Sequence, residues 1–230
     1  MRLAGLVLAA TSALAGLRAL ARARSVQLFG RVLARVPTQE PRVALTFDDG
    51  PTSARVDTLV GLLGARGVHA TFFVTGRELA AAPEAGRRLV AAGHELGNHT
   101  YSHRRLVLVT PGTVRVEVER TDALIRAAGH AWPIHFRPQY GYKLVALPWY
   151  LARTGRTTVT WDVEPDSYAD VAATPAGIVR HALSRVRPGS IILLHPWYAS
   201  RATSLAAVGP LVDSLHARGF RVGPIRDLVR

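Results

Sequence analysis

The chain has 230 residues, enough for one well-buried core, and no linker-like stretch divides it, so a single catalytic-size domain with an N-terminal appendage is expected. Its 29 basic residues against 16 acidic ones give a net charge of +13, yet most of the arginines are scattered singly among Ala, Val and Leu, and Lys143 is the only lysine. That scatter argues against a dedicated nucleic-acid surface, which needs a clustered footprint, while attraction to a polyanionic envelope polymer stays open; the lack of cysteine excludes disulfides.

In chain order, Arg2 precedes the apolar run LAGLVLAATSALAGL at 3–17, which is shorter than the roughly 20 residues of a spanning helix. With Ala13-Leu14-Ala15 as a small-x-small site, residues 1–24 are expected to be a signal peptide, or a short anchor giving membrane association through the N-terminus. Export to the periplasm, the cell envelope or the outside follows. Residues 25–40 place apolar and basic side chains at helical spacing and are expected to form a collar before the catalytic domain at 41–230.

Beyond Pro41 short apolar runs alternate with longer helix-period segments. Strands are predicted at 42–47, 69–75, 94–99, 134–138, 157–163, 190–195 and 220–225. Helices are predicted over 53–67, 110–129 and 174–186, the last opened by Thr174 and Pro175. Alternation of this kind implies an α/β fold with a mostly parallel sheet, closed as a barrel or left open, without a repeat of fixed period.

In a barrel, function collects where strands end. Asp48, Asp49, His99, Arg137, Asp162 and His195 all fall at or just beyond such ends. In HTYSH at 99–103 two histidines four apart point the same way if the segment is a helical turn, a spacing that suits one divalent ion. The Asp48-Asp49 pair strengthens that reading. One carboxylate completes a His-His-Asp site with open positions for water, and the other takes a proton from that water. Two adjacent charges at a buried strand end become tolerable if a cation neutralises one and Arg137 pairs with the other. His69, His94, His130, His135, His181 and His216 are expected to be satisfied or solvated, not ligands.

The stretches TFDDGP, GHELGNHTYSH, FRPQYG and ILLH, in this order, closely resemble the NodB-type polysaccharide deacetylases of carbohydrate esterase family 4. The resemblance spans roughly residues 41–228. It implies a distorted (β/α) barrel with about seven parallel strands, a divalent metal ion, usually Zn2+, and removal of N-acetyl groups from an N-acetylglucosamine-type polysaccharide or oligosaccharide. By motif it implies Asp48 as general base, Asp49, His99 and His103 as metal ligands, Arg137 holding the base, His195 as general acid, and Tyr140 offering a backbone N–H to the oxyanion.

A protonated His195 needs a carboxylate beside it, and here the chain departs from the family. Where the fourth motif ends in Asp-Trp, WDVEPDSY at 161–168 puts Ser167 and Tyr168. Asp166 is the favoured orienting group after a one-residue slip, with Glu164 and Asp162 as alternatives. The altered motif also admits a glycan-binding module with impaired catalysis, and variable loops admit an amide or ester hydrolase on a non-sugar substrate. Trp197 and Tyr198 after His195 offer either a stacking surface for a sugar or plain packing.

Overall fold

A computed structural model describes residues 2–229, with side chains from residue 11 onward. The side chains of the first part of the predicted export segment therefore lie outside the described residues. In chain order the elements are α1 (Arg2–Arg22), β1 (Arg31–Leu33), β2 (Arg42–Asp48), α2 (Ser53–Gly64), β3 (Thr71–Val74), α3 (Gly76–Ala81), α4 (Pro83–Ala91) and β4 (Glu95–Asn98). There follow α5 (Pro111–Ala127), α6 (Ala146–Arg153), β5 (Thr157–Val159), α7 (Pro175–Leu183), β6 (Ile191–Leu194), α8 (Ala202–Ala217), β7 (Arg221–Gly223) and α9 (Ile225–Leu228). The start signal at Thr174-Pro175 is used as expected, and Thr110-Pro111 opens its helix in the same way. Thr110 and Thr174 accept the N–H of Thr113 and Gly177, each with proline in the first turn, so α5 and α7 begin with one orphan donor satisfied.

All ladders are parallel: β4-β3-β2-β6 run side by side, β7 joins the start of β2, and β1 pairs with β5. Among the described residues no ladder closes the ring. Instead Phe136 makes single bridges to Asn98 and Thr158, and Val163 bridges Ile192, which gives a mostly parallel α/β fold with a strongly distorted barrel path. The predicted strand at 134–138 is thus reduced to one bridging residue. Pro133 and Pro138 flank it, and a residue without an N–H cannot extend a ladder. The segment 25–40 corrects the helical expectation in the other direction: Arg31–Leu33 is a strand, because the edge of β5 offers unpaired backbone groups and three residues suffice to meet them.

Period-2 alternation sorts the side chains of β2. Val43, Leu45 and Phe47 pack outward with Val56, Leu59 and Leu63 of α2, in a cluster that also takes Ile192 and Leu194. Ala44 faces the opposite way, with Phe73, Trp161, Ile191 and Leu193. Both faces are buried, as parallel sheets require. Parity then puts Thr46 and Asp48 on the inner face with Ala44, and this aims the last carboxylate of the strand into the barrel.

The C-terminal end of α1 and the residues after it are fastened to the domain. The Lys143 backbone N–H donates to Ala21 O at 2.9 Å, its ammonium donates to Ala23 O, and Thr160 Oγ1 donates to Arg24 O at 2.6 Å. No described helix is long and apolar enough to cross a membrane.

Candidate active site

The carboxyl ends of β2 and β4 and the start of the loop after Phe136 meet at one rim. Arg137 is completely buried beneath it. Its guanidinium donates to Asp48 Oδ1 at 2.7 Å, Thr46 Oγ1 at 2.8 Å and Thr160 O at 2.9 Å, and it lies 4.0 Å from the Phe73 ring centroid. Burial pulls the Arg137 pKa down, and the Asp48 carboxylate opposes that loss. A buried ion pair with its remaining donors satisfied holds its geometry, since removing either partner would strand a charge. Asp48 Oδ2 stands 3.7 Å from His99 Nε2.

Asp49, His99 and His103 converge. Asp49 Oδ1 is 2.9 Å from His103 Nε2 and 3.5 Å from His99 Nε2, and the three donor atoms lie within 4.8 Å of one another. Ligands about 2.05 Å from a tetrahedral ion stand about 3.3 Å apart, so the donor set fits a divalent cation such as zinc. The tautomer fits as well. His99 Nδ1 lies 2.8 Å from Arg137 O, so Nδ1 carries the proton and Nε2 keeps its lone pair for a metal. Burial works against charge on Asp49, but the hydrogen bonds and charges of His103 and His99 outweigh it and hold the carboxyl far below the usual range.

The 99–103 segment is a loop, not the helical turn that the four-residue spacing suggested. Thr100 and His103 have φ of 62° and 59°, and the two imidazole centroids come within 5.1 Å by a local reversal of the backbone. Asp49 and Tyr140 also have positive φ, at 79° and 54°. Non-glycine residues in this region cost on the order of 1–3 kcal/mol each, so the surroundings must over-determine them. They do. Glu117, buried on α5, accepts the N–H groups of Tyr101 and Ser102 at 2.9 and 2.8 Å and the Ser102 hydroxyl at 2.7 Å. Asn98 Oδ1 accepts the Thr100 N–H at 2.8 Å, and the Gln139 amide donates to His99 O and to Thr100 Oγ1.

Glu117, Asn98 and Gln139 are the positioning residues that sequence reasoning missed. Asn98 and Gln139 do stand inside recognised motifs, but nothing around Glu117 distinguishes it from an exposed helical glutamate.

Across the rim, after β6, His195 Nδ1 lies 3.1 Å from Asp166 Oδ1. Asp166 Oδ2 accepts the His195 backbone N–H at 2.7 Å and the Ser204 hydroxyl at 2.6 Å. Burial by itself would lower the His195 pKa, but the Asp166 hydrogen bond and charge, with Asp48 and Asp49 nearby, push it up to about 9. The two other carboxylates weighed for this place are engaged elsewhere. Glu164 pairs with Arg24 and the Trp161 indole, and Asp162 accepts from Ser190 Oγ and the Ile191 N–H.

Trp197 is buried 5.6 Å from the Phe72 ring and closes over Gly50, where a Cβ would meet the indole at 2.1 Å; it is packing. Tyr198 is exposed at the rim, its hydroxyl 3.4 Å from Asp49 O. Tyr140 projects outward with its ring 5.5 Å from His103. Among the described residues the remaining histidines form no metal-spaced group.

A polysaccharide deacetylase family model matches residues 35–159, more than half of the chain. A chitooligosaccharide deacetylase of Bradyrhizobium sp. (strain ANU 289) is 36% identical over 198 residues, covering 81% of this chain and 90% of the relative. A peptidoglycan-N-acetylglucosamine deacetylase of Bacillus cereus is 29% identical over 87% of this chain and 94% of its own length. The crystal structure of a peptidoglycan N-acetylglucosamine deacetylase in complex with a naphthalenyl N-oxidanyl-benzamide superposes with a TM-score of 0.80 at 28% identity, covering 85% of this chain and 91% of the other. A parallel sheet that delivers two adjacent aspartates and two loop histidines to one rim, together with these matches, leads to one conclusion: the chain belongs to the NodB-type polysaccharide deacetylases of carbohydrate esterase family 4.

Proposed function

We propose that the protein hydrolyses the N-acetyl group of an N-acetylglucosamine-type glycan, chitin oligosaccharide or peptidoglycan, using a divalent ion, most simply zinc, held by Asp49, His99 and His103. The observation that carries this reading is the pairing of opposites across one rim: Asp48 held at 2.7 Å by buried Arg137 on one side, and His195 charged by Asp166 on the other. The named relatives act on those two glycan classes.

A cation bound by the three donors supplies a positive charge that acidifies water and polarises an acyl oxygen. The remaining work falls to the chain. Asp48, held in place by Arg137, accepts the proton of a water as its oxygen attacks the acetyl carbon. The Tyr140 backbone N–H, fixed by the positive φ of that residue, offers a hydrogen bond to the developing oxyanion, a contribution of about 3 kcal/mol in comparable sites. His195, already protonated, delivers its proton to the amide nitrogen as the C–N bond breaks, leaving acetate and a free amine. Asp166 stabilises the imidazolium before that transfer and keeps the ring in place after it.

Because Asp166 accepts from both the ring and the backbone of His195, the altered fourth motif gives no ground for a binding module without turnover. Export towards the cell envelope is part of the proposal, supported by Arg2 and the apolar run after it. The test is acetate release from N-acetylated chitooligosaccharides and from peptidoglycan, with and without chelator, by the parent chain and by Asp48→Asn. Release that stops with chelator and with the variant supports the reading. Sustained absence of release with zinc, cobalt and manganese on both glycans would overturn it.

A further inference from the structure

Beside the catalytic rim lies a surface that this chemistry does not use. Two adjoining grooves, of about 490 and 440 Å³, share Leu108 and Leu144. Their walls come from three separate stretches: the outer face of α1, the loop before α5, and the start of α6. Leu108 is 91% exposed and held at φ 51°, while Leu14 and Leu17 of α1 are 68% and 51% exposed, with Val145 and Trp149 exposed alongside. Single exposed leucines are ordinary, but an apolar tract assembled from three elements marks an interaction surface. A leucine strained into the left-handed region to stand in solvent strengthens that reading.

Charge narrows the partner. Residues 1–39 carry six arginines and no carboxylate, and the stretches 99–116 and 133–153, which complete the face, carry none either. All the acidic residues lie elsewhere. Arg18 lines the larger groove, Arg105 stacks on Tyr140 and Tyr142 at 4.5 and 5.0 Å, and Arg153 lies 5.2 Å from the Trp149 ring centroid. Leucine and valine between arginine, tryptophan and tyrosine is the composition of a protein surface at lipid headgroup level. The charge-free run 3–17 of α1 spans only about 22 Å along a helix, less than the roughly 30 Å of a hydrocarbon core, so it suits lying in the interface better than crossing it. A second copy of the chain would bring two such cationic faces together and repel.

We propose that this three-element face docks on an anionic phospholipid bilayer. Tyr142 lines the groove, Arg105 bridges it to Tyr140, and the Tyr140 ring rests 5.5 Å from His103, so docking sets the catalytic rim at the membrane surface. A glycan carried at that surface then comes within reach. This last consequence rests on the deacetylase reading; the docking itself does not.

The test is co-sedimentation of the full chain with vesicles of phosphatidylcholine alone or with about 30% phosphatidylglycerol. The chain is expected to partition onto the anionic vesicles, weaken at about 0.5 M salt, and bind neutral vesicles poorly. Leu108→Asp leaves α1 intact and is expected to lower partition at least about tenfold, with Val145→Asp as a second variant of similar effect. Acetate release from soluble chitooligosaccharide and the thermal midpoint should match the parent, which separates lost docking from lost folding. Undiminished binding by both variants, equal binding to neutral vesicles, or a dimer formed through this face would overturn the proposal.

Discussion

Histidines flank β4 at both ends, His94 before it and His99 after it, and the two ends do opposite things. At its carboxyl end His99 sits with His103 against Asp49, with Asp48 and Arg137 behind. At its amino end His94 and Glu95 lie with His130 and His135 under α9. There His94 Nδ1 accepts the Ala70 N–H at 3.2 Å, His130 Nδ1 accepts the Leu96 N–H at 3.4 Å, and His135 stays 3.7 Å from Glu95. Burial drives the pKa of His94, His130 and His135 down to about 4 and that of Glu95 up. Burial thus works against charge at the amino end, whereas at the carboxyl end the two histidines hold Asp49 ionised. What separates a site from a plug is whether the ring nitrogens converge on carboxylates near solvent or spend themselves singly on backbone N–H groups.

The largest effect that would break this contrast comes from Asp48, the proposed base. Asp48→Asn is expected to lower kcat for acetate release by at least about 10³-fold with metal content unchanged by elemental analysis, whereas Glu95→Gln at the other end leaves kcat within about threefold. Comparable losses from both would erase the distinction.

Asp166→Asn comes next. In the proposed reaction His195 is the acid, and its folded pKa of about 9 exceeds the unfolded value of 6.5, so activity should persist through neutral pH and fall as pH rises through about 9. The linked stability has the same sign, complete below 6.5 and lost through about 9. In the variant burial acts on His195 without its main counterweight, so the alkaline limb of the kcat profile should move down, with kcat at pH 8 about 10²-fold lower. An unmoved limb would sink the assignment.

A smaller effect is expected at Glu117. Replacing it with alanine frees the three donors of the 101–102 backbone and side chain, so zinc affinity measured by competition with a chromophoric chelator should weaken about 10–100-fold. The fold should persist, because α5 keeps its apolar contacts.

The amino end supplies the smallest effect. Its histidines have folded pKa values below the unfolded 6.5, so their stabilising contribution is present above 6.5 and lost as pH falls through about 4. The thermal midpoint should therefore drop by several degrees between pH 6.5 and 4, and His130→Gln should reduce that slope. A midpoint flat across this range would show the plug to be less desolvated than its geometry implies.

The legibility of the chain follows the range of the forces involved. Thr174-Pro175 announced its helix because a cap acts within three residues. Asp48 was legible because a strand alternates faces and ends at the rim. His99 and His103 were legible as a pair although the supposed helical turn is a loop: the number of residues between them allows convergence by either route. The strand at 134–138 misled because its flanking prolines cannot extend a ladder, and the helical collar at 25–40 misled because the edge of β5 decided its form.

The strand-helix alternation of most of the chain, the rim on which polar residues gather, the Asp-Asp and two-histidine signature and the basic, apolar N-terminus were determined by sequence alone, because each rests on neighbours or on a fixed period. Only the tertiary structure decided that Asp166 and not Asp162 or Glu164 meets His195, that Glu117 holds the histidine loop, and that α1, Leu108 and Trp149 form one face. Those pairings join loops whose meeting depends on how helices seat on the sheet, and a carboxylate one residue away along the chain can point several ångströms from its target.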